Sequence, residues 1–292
     1  MASTPEKPKL LVIVGPTASG KSGLALKIAQ NFDGEIIAAD SRTIYKGMDI
    51  GTAKPSSEEQ ILVPHWGIDL IEPGQNFSAA KFKDYAVAKI AEIQSRGKLP
   101  VLVGGTGLYI DSVLFNFSFV GANRLKRFIY STWSINKLQK EIQLRDWPLP
   151  ENQFNKRHLV NVLGRNGRLG SRQSELARGT VLVGLMPPDD VLRQRINLRA
   201  EEMFELRIIP ETKSLLKKYG EKKLKRTGGI VYTFSSRLIK GELTVEEAVE
   251  LFKKADWQYA RRQKTWFKRN KFIHWYVNGE EAFTSVSKAL NK

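Results

Sequence analysis

Gly15-Pro16-Thr17-Ala18-Ser19-Gly20-Lys21-Ser22 fits G-x-x-x-x-G-K-[ST], the pattern of a phosphate-binding loop. Glycines let backbone N–H groups turn inward around an anion, and the start of a following helix adds partial positive charge. Lys21 brings a mobile full charge, and the Ser22 hydroxyl is the group that can hold a Mg²⁺. The pattern predicts a bound diphosphate or triphosphate, whatever molecule carries it. A typical NTPase also closes an apolar strand with an acid that holds the metal ion. Here the strand-like run Leu99–Val103 closes in Gly104-Gly105-Thr106-Gly107, without an acid. The acid that does end such a run is Asp40, after Glu35–Ala39. Read alone, it is a loop cap or a base; small-molecule kinases also place an Asp there, so a P-loop kinase stays open.

These groups need a scaffold that brings them together. Lys9–Val14 is apolar without alternation, as expected of a buried parallel strand, and LALKIAQNF after the loop continues as a helix. Glu35–Ala39, Leu99–Val103 and Thr180–Leu185 repeat the strand signal, interleaved with helical stretches at Ala79–Arg96 and Asp189–Phe204. The pattern predicts an α/β fold, a P-loop-containing doubly wound parallel sheet. Ligands bind such sheets at the carboxyl ends of the strands, where Gly15–Ser22, Asp40 and Thr106 converge. Between 116 and 175 the strand signal stops; Leu125–Arg145 and Lys156–Leu163 are helix-compatible, so this region reads as a helical insertion. The core spans 1–115 and resumes at 176–292 with a helical C-terminal region. There Thr244-Val-Glu-Glu247 reads as a capping box opening a helix towards Asn270, and Phe272–Val277 as a last short strand.

Composition narrows the partners. The chain has 292 residues, 41% hydrophobic and 26% charged, a globular balance. It has no cysteine, which excludes disulfides and a thiol nucleophile, and its three scattered histidines give no metal centre. No apolar run is long enough to span a bilayer, and MASTPEKPKL lacks a signal-peptide core, so the expected location is the cytoplasm. The net charge of +17 is uneven: residues 1–120 hold 12 Lys+Arg and 12 Asp+Glu, so the whole excess lies beyond them. A neutral catalytic part joined to a basic remainder suggests a polyanionic partner.

Asp40-Ser41-Arg42-Thr43-Ile44-Tyr45-Lys46-Gly47-Met48-Asp49-Ile50-Gly51-Thr52-Ala53-Lys54-Pro55, together with GPTASGKS, GGTGLY (Gly104–Tyr109) and YARRQKTWFKRN (Tyr259–Asn270), closely resembles the tRNA dimethylallyltransferase family, also called tRNA isopentenyltransferases. The resemblance covers nearly the whole chain and is to the bacterial form, without the eukaryotic zinc-finger extension. It implies transfer of a dimethylallyl group from dimethylallyl diphosphate to the N6 amine of the adenine 3′-adjacent to the anticodon, with Mg²⁺. It further implies that Asp40 is the catalytic base, that Thr17 and Lys21 act on the diphosphate, and that Asp40, Ser41, Arg42, Thr43 and Thr106 bind the tRNA, with Thr106 at the substrate nucleotide. Arg127, Arg157, His158, Asn161 and Arg226 match its tRNA-contact regions. Arg261, Arg262 and Lys268, on a stretch that also carries Trp257, Tyr259, Trp266 and Phe267, fit a polynucleotide surface. The partners are then the anticodon stem-loop of tRNA and dimethylallyl diphosphate, with no membrane and a monomer as the expected state.

The sequence also departs from the family. Thr43 stands where Gln is common and Trp66 where a second His is common; Asn161, Gly164 and Val231 replace Arg, Glu and Arg. A related activity, prenyl transfer to free AMP, ADP or ATP by an adenylate isopentenyltransferase, shares the chemistry, but a free nucleotide needs no broad basic surface. A non-catalytic RNA-binding module on the same fold is the remaining alternative.

Overall fold

The computed structural model describes residues 10–206 and 208–291. Lys9, with which the first apolar run opens, lies outside the described residues, as does the chain before it. β1 (Leu10–Val14), β2 (Gly34–Ala38), β3 (His65–Trp66), β4 (Leu99–Gly104), β5 (Thr180–Leu185) and β6 (His274–Tyr276) make one sheet in the order β3-β2-β4-β1-β5-β6. Every pairing is parallel; Leu11, for instance, lies opposite Val101 on one side and Val181 on the other. A parallel sheet is covered on both faces, which is why its strands are apolar at successive positions rather than alternate ones. Glu35, buried in β2, is an exception, and the Trp66 indole N–H and Arg96 reach its carboxylate at 2.7 and 2.8 Å.

The α-helices α1 (Lys21–Asn31), α2 (Ser57–Leu62), α3 (Ala79–Ser95) and α4 (Gly107–Leu114) of the core precede the insertion. Leu11, Ile13, Val101 and Val103 pack against Leu24, Ala25 and Ile28 of α1. The strand period of two turns Val12 and Leu102 to the other face. α3 and α4 pack on β4, joined by Phe82 stacked on Tyr109 with centroids 4.2 Å apart.

Phe115–Glu175 is a compact unit of its own, and the chain on either side of it forms the other. The smaller unit holds α5 (Arg124–Ser131), α6 (Ile135–Leu144) and α7 (Lys156–Gly164) around Tyr130, Leu138, Ile142, Leu159 and Leu163. The helical stretch expected at Leu125–Arg145 is thus two helices. Ser134 caps the second by accepting from Lys137 N (3.3 Å), and Trp133 sits edge-on to Tyr130 in the turn between them.

After β5 come α8 (Asp189–Leu206), α9 (Ile208–Tyr219), α10 (Glu221–Thr227), α11 (Ile230–Ile239), α12 (Val245–Phe267) and, past β6, α13 (Gly279–Leu290). α13 adds Ala282 and Val286 to the α1 face of the sheet. α8, α11 and α12 bury Ala200, Met203, Val231, Tyr232 and Phe252 against Ile44, Tyr45 and Met48, which fixes the long segment after Asp40. The expected capping box opens α12: Glu247 N donates to Thr244 Oγ1 (3.2 Å) and Thr244 N to the Glu247 carboxylate (2.8 Å).

Candidate active site

The phosphate loop leaves β1 and enters α1, as the pattern requires. Ala18 (φ 60°) and Gly20 (φ 92°) take left-handed backbone conformations, which turn their peptide groups into a concave nest suited to an anion. Ser19 N donates back to Pro16 O (3.3 Å), so the Ala18 and Gly20 amides and the first turn of α1 are the groups left to face a ligand. Lys21 Nζ donates to Pro16 O at 3.2 Å. Burial lowers its ammonium to about 8, with Asp40 opposing that fall and Arg199 reinforcing it. Ser22 is exposed at the mouth of the loop.

A brace holds this loop that no local pattern announces. Gln263 of α12 is buried and accepts from Thr17 N at 2.8 Å, while its amide nitrogen donates to Gly105 O at 2.9 Å. One side chain thereby ties the phosphate loop to the end of β4. Arg195 of α8 also donates to Ser19 O at 3.4 Å.

Asp40 follows β2 in a tight turn, its Oδ1 accepting from Arg42 N at 2.7 Å. Thr106 fastens that turn to the end of β4, donating its own N–H to Ala39 O (3.2 Å) and accepting from Ser41 N on Oγ1 (3.0 Å). Arg42 reaches across to donate to the carbonyl of Thr227. Burial pushes the Tyr259 hydroxyl up to about 12, and the nearby Asp40 carboxylate adds to the rise. Thr17, Lys21, Asp40, Ser41, Arg42 and Thr106 are therefore gathered at one end of the sheet.

Two cavities meet there. One, of about 230 Å³, runs from Ala18, Gly20, Lys21 and Ser22 to the apolar side chains of Ile36, Ala38 and Val103. The other, of about 280 Å³, lies among Arg42, Gly229, Ile230, Phe252, Tyr259 and Arg262. Asp40, Thr17, Thr52, Ala53 and Arg199 line both. Arg199 pairs with the buried Asp256 and brings a cation to the wall of both cavities, and among the described residues its buried Nε has no partner. Sequence reasoning missed Gln263, Arg199 and Asp256, because their meaning depends on contacts across the fold.

Of the expected RNA-contact residues in the core, Arg226, Arg261, Arg262 and Lys268 are exposed. The aromatics among them are not a free stacking surface. Phe267 is fully buried, Trp257 packs with Leu192, Ile196 and Ala260, and the Trp266 indole N–H donates to Asp111 at 2.7 Å. They anchor α12, and the basic residues occupy its other face. In the insertion, Arg127, Arg157 and His158 are exposed and Asn161 is half-buried.

Three of the departures, Val231, Gly164 and Trp66, have local structural reasons. Val231 is buried in the core, where a charged side chain would lack solvent. Gly164 lets α7 approach α5, since a Cβ there would lie 2.6 Å from Arg127 Cγ. Trp66 takes a new partner in Glu35, with Lys89 Nζ 3.7 Å above its ring. Thr43 lines the first cavity, buried, its hydroxyl without a partner among the described residues.

A family model described as IPP transferase matches residues 43–270. A tRNA dimethylallyltransferase of Pelotomaculum thermopropionicum is 36% identical over 94% of this chain and 92% of its own length. The crystal structure of the full-length tRNA isopentenylpyrophosphate transferase from Bacillus halodurans superposes with a TM-score of 0.73 at 33% identity, covering 98% of this chain and 97% of that one. A eukaryotic dimethylallyltransferase captured acting on tRNA gives a TM-score of 0.72 at 26% identity, over 88% of this chain and 69% of its own.

Proposed function

We infer the function from a plain premise: this chain belongs to the IPP transferase family. It transfers a dimethylallyl group from dimethylallyl diphosphate to the N6 amine of the adenine 3′-adjacent to the anticodon in tRNA. The observation that carries this reading is that Asp40 and Thr17 stand in the common wall of two cavities, one lined by the phosphate loop and one by Arg42, Tyr259 and Arg262. A donor and an acceptor placed on either side of that wall meet at a carboxylate.

The donor's diphosphate lies against the Ala18 and Gly20 amides, the start of α1 and Lys21, with its prenyl group among Ile36, Ala38 and Val103. The adenine, extruded from the RNA stack, enters the second cavity near Tyr259. Its N6 is a poor nucleophile because the lone pair is delocalised into the ring. Asp40 orients the amine and takes its proton as N6 bonds to the prenyl C1. The C1–O bond breaks, and its electron pair leaves with the diphosphate, beside Thr17. Lys21 and the Arg199 guanidinium, both in the wall of that cavity, stabilise the charge that develops there.

Ser22 would hold Mg²⁺ together with diphosphate oxygens. The donor set fits, since Mg²⁺ binds through few protein oxygens plus substrate phosphates, and among the described residues no His, Asp and Glu cluster offers an all-protein cage. When bound, the ion neutralises charge on the leaving group. Exposed Arg226, Arg261, Arg262 and Lys268 hold tRNA phosphates. No described helix is long and apolar enough to cross a membrane, and a tRNA substrate sets the work in the cytoplasm. The core unit of one chain supplies both cavities and the base, so a monomer suffices.

The test is a transfer assay with labelled dimethylallyl diphosphate, Mg²⁺ and unmodified tRNA, run beside AMP, ADP and ATP. Label in tRNA alone is expected. Label in a free nucleotide, or none with tRNA still bound, would overturn the reading.

A further inference from the structure

On the insertion unit, α5 exposes Phe128 to 71% of its full surface, while Tyr130 two residues on is buried in the unit's core. An aromatic ring left in water on a helix whose other face already packs has no structural duty. It is surrounded by cations. Arg124, Arg127, Phe128 and Ser131 recur at helical spacing on one face of α5, and Lys156, Arg157 and Val160 face them from α7, enclosing an open groove of about 690 Å³. Among the described residues, none of these four cations makes an ion pair with a carboxylate. The whole unit is charged the same way, with eleven Lys and Arg against four Asp and Glu between 115 and 175.

We propose that Phe128 is a stacking platform for an unpaired base of the anticodon stem-loop, with Arg124, Arg127, Lys156 and Arg157 holding the phosphates on either side of it. The inference rests on the tRNA reading above and adds to it a base contact remote in sequence from the catalytic residues. An unpaired base offers a π-face whatever its identity, so the platform holds the loop's shape without reading its sequence. Charge complementarity selects RNA as the occupant: four cations around one ring, without carboxylate partners among the described residues, match a base between two phosphates. A neighbouring face of α5 carries exposed Leu125 and Ile129, which makes an anionic lipid surface the competing occupant.

The two kinds of contact differ in how they respond to salt, and that gives the test. Affinity of the full-length protein for unmodified tRNA is measured across a salt series for wild type, Phe128→Ala, Phe128→Trp and Arg157→Gln. Phe128→Ala should weaken binding roughly tenfold or more with the slope of log K against log salt unchanged, and Phe128→Trp should restore it. Arg157→Gln should lower the slope by about one. Thermal unfolding of Phe128→Ala should match wild type, as expected for an exposed ring. Wild-type affinity in Phe128→Ala, or a changed slope, would overturn the proposal, as would Phe128-dependent flotation with phosphatidylserine vesicles while tRNA affinity stays unchanged. If wild type itself fails to bind or prenylate tRNA, the functional reading falls instead; if wild type does both and Phe128→Ala equals it, only the platform falls.

Discussion

Truncating Gln263 should loosen the phosphate loop by an amount the structure lets us work out. Gln263→Ala removes the acceptor of Thr17 N and the donor to Gly105 O, leaving a buried N–H and a buried carbonyl without partners. Each orphaned group costs about 1–3 kcal/mol, and water entering the vacated space recovers part of it, so the expected loss is about 3 kcal/mol. Gly105→Ala reaches the same end by another route. A Cβ there would lie 2.2 Å from Gln263 Nε2, which drives the amide off both partners. Both substitutions delete one interaction, so the double variant should lose about 3 kcal/mol rather than about 6, and in it the added methyl fills the space left by the amide. Urea unfolding of the four proteins measures the stabilities, and steady-state transfer gives the Michaelis constant for the donor. That constant should rise in all three variants while tRNA affinity holds. Additive losses in the double variant, or wild-type stability and donor constant in Gln263→Ala, would refute the brace.

Asp40→Asn keeps an acceptor for Arg42 N but removes the base, so transfer should fall by about 10²–10⁴ with tRNA affinity retained; full activity would remove Asp40 from the mechanism. Charge reversal at Arg261, Arg262 or Lys268 should weaken tRNA binding and reduce its salt slope by about one each, and an unchanged slope would place the RNA surface elsewhere. Lys21 is held at about 8 by burial, below its ordinary value, so the free protein loses this positive charge as pH rises through 8. The advantage of wild type over Lys21→Met in binding inorganic diphosphate should therefore shrink up to about tenfold per pH unit above 8. Calorimetry from pH 6.5 to about 9.5 measures it, and a constant ratio would show that Lys21 does not meet the anion as a titrating ammonium.

How much of this could be read beforehand depended on the range of the interactions involved. The phosphate loop was legible because its function and its conformation are both set by eight adjacent residues between a strand and a helix. The parallel sheet was legible because burial on both faces writes itself into unbroken apolar runs such as Leu10–Val14. The strand His65–Trp66 was not, since two residues carry no period. The turn at Thr132–Ser134 was hidden by basic and polar residues that suit a helix on either side of it. The aromatics of α12 were ambiguous for a physical reason. Trp and Tyr pair an apolar body with a polar tip, so the same spacing serves a core, as with Trp266 on Asp111, or an RNA surface. Gln263, Arg199 and Asp256 gave no sign at all, because a polar residue in a helix is ordinary until its partners from distant segments are known.

The Thr17–Gln263 bond also has a consequence for biosynthesis. Its two residues are separated by 246 positions, with the whole insertion unit synthesised between them. At roughly 5–20 residues per second, α12 leaves the ribosome roughly 12–50 s after the loop it steadies. A nascent chain thus carries its phosphate loop long before that loop is braced. Fragments ending anywhere short of α12 keep the most recognisable motif of the protein and lack the geometry that makes it useful.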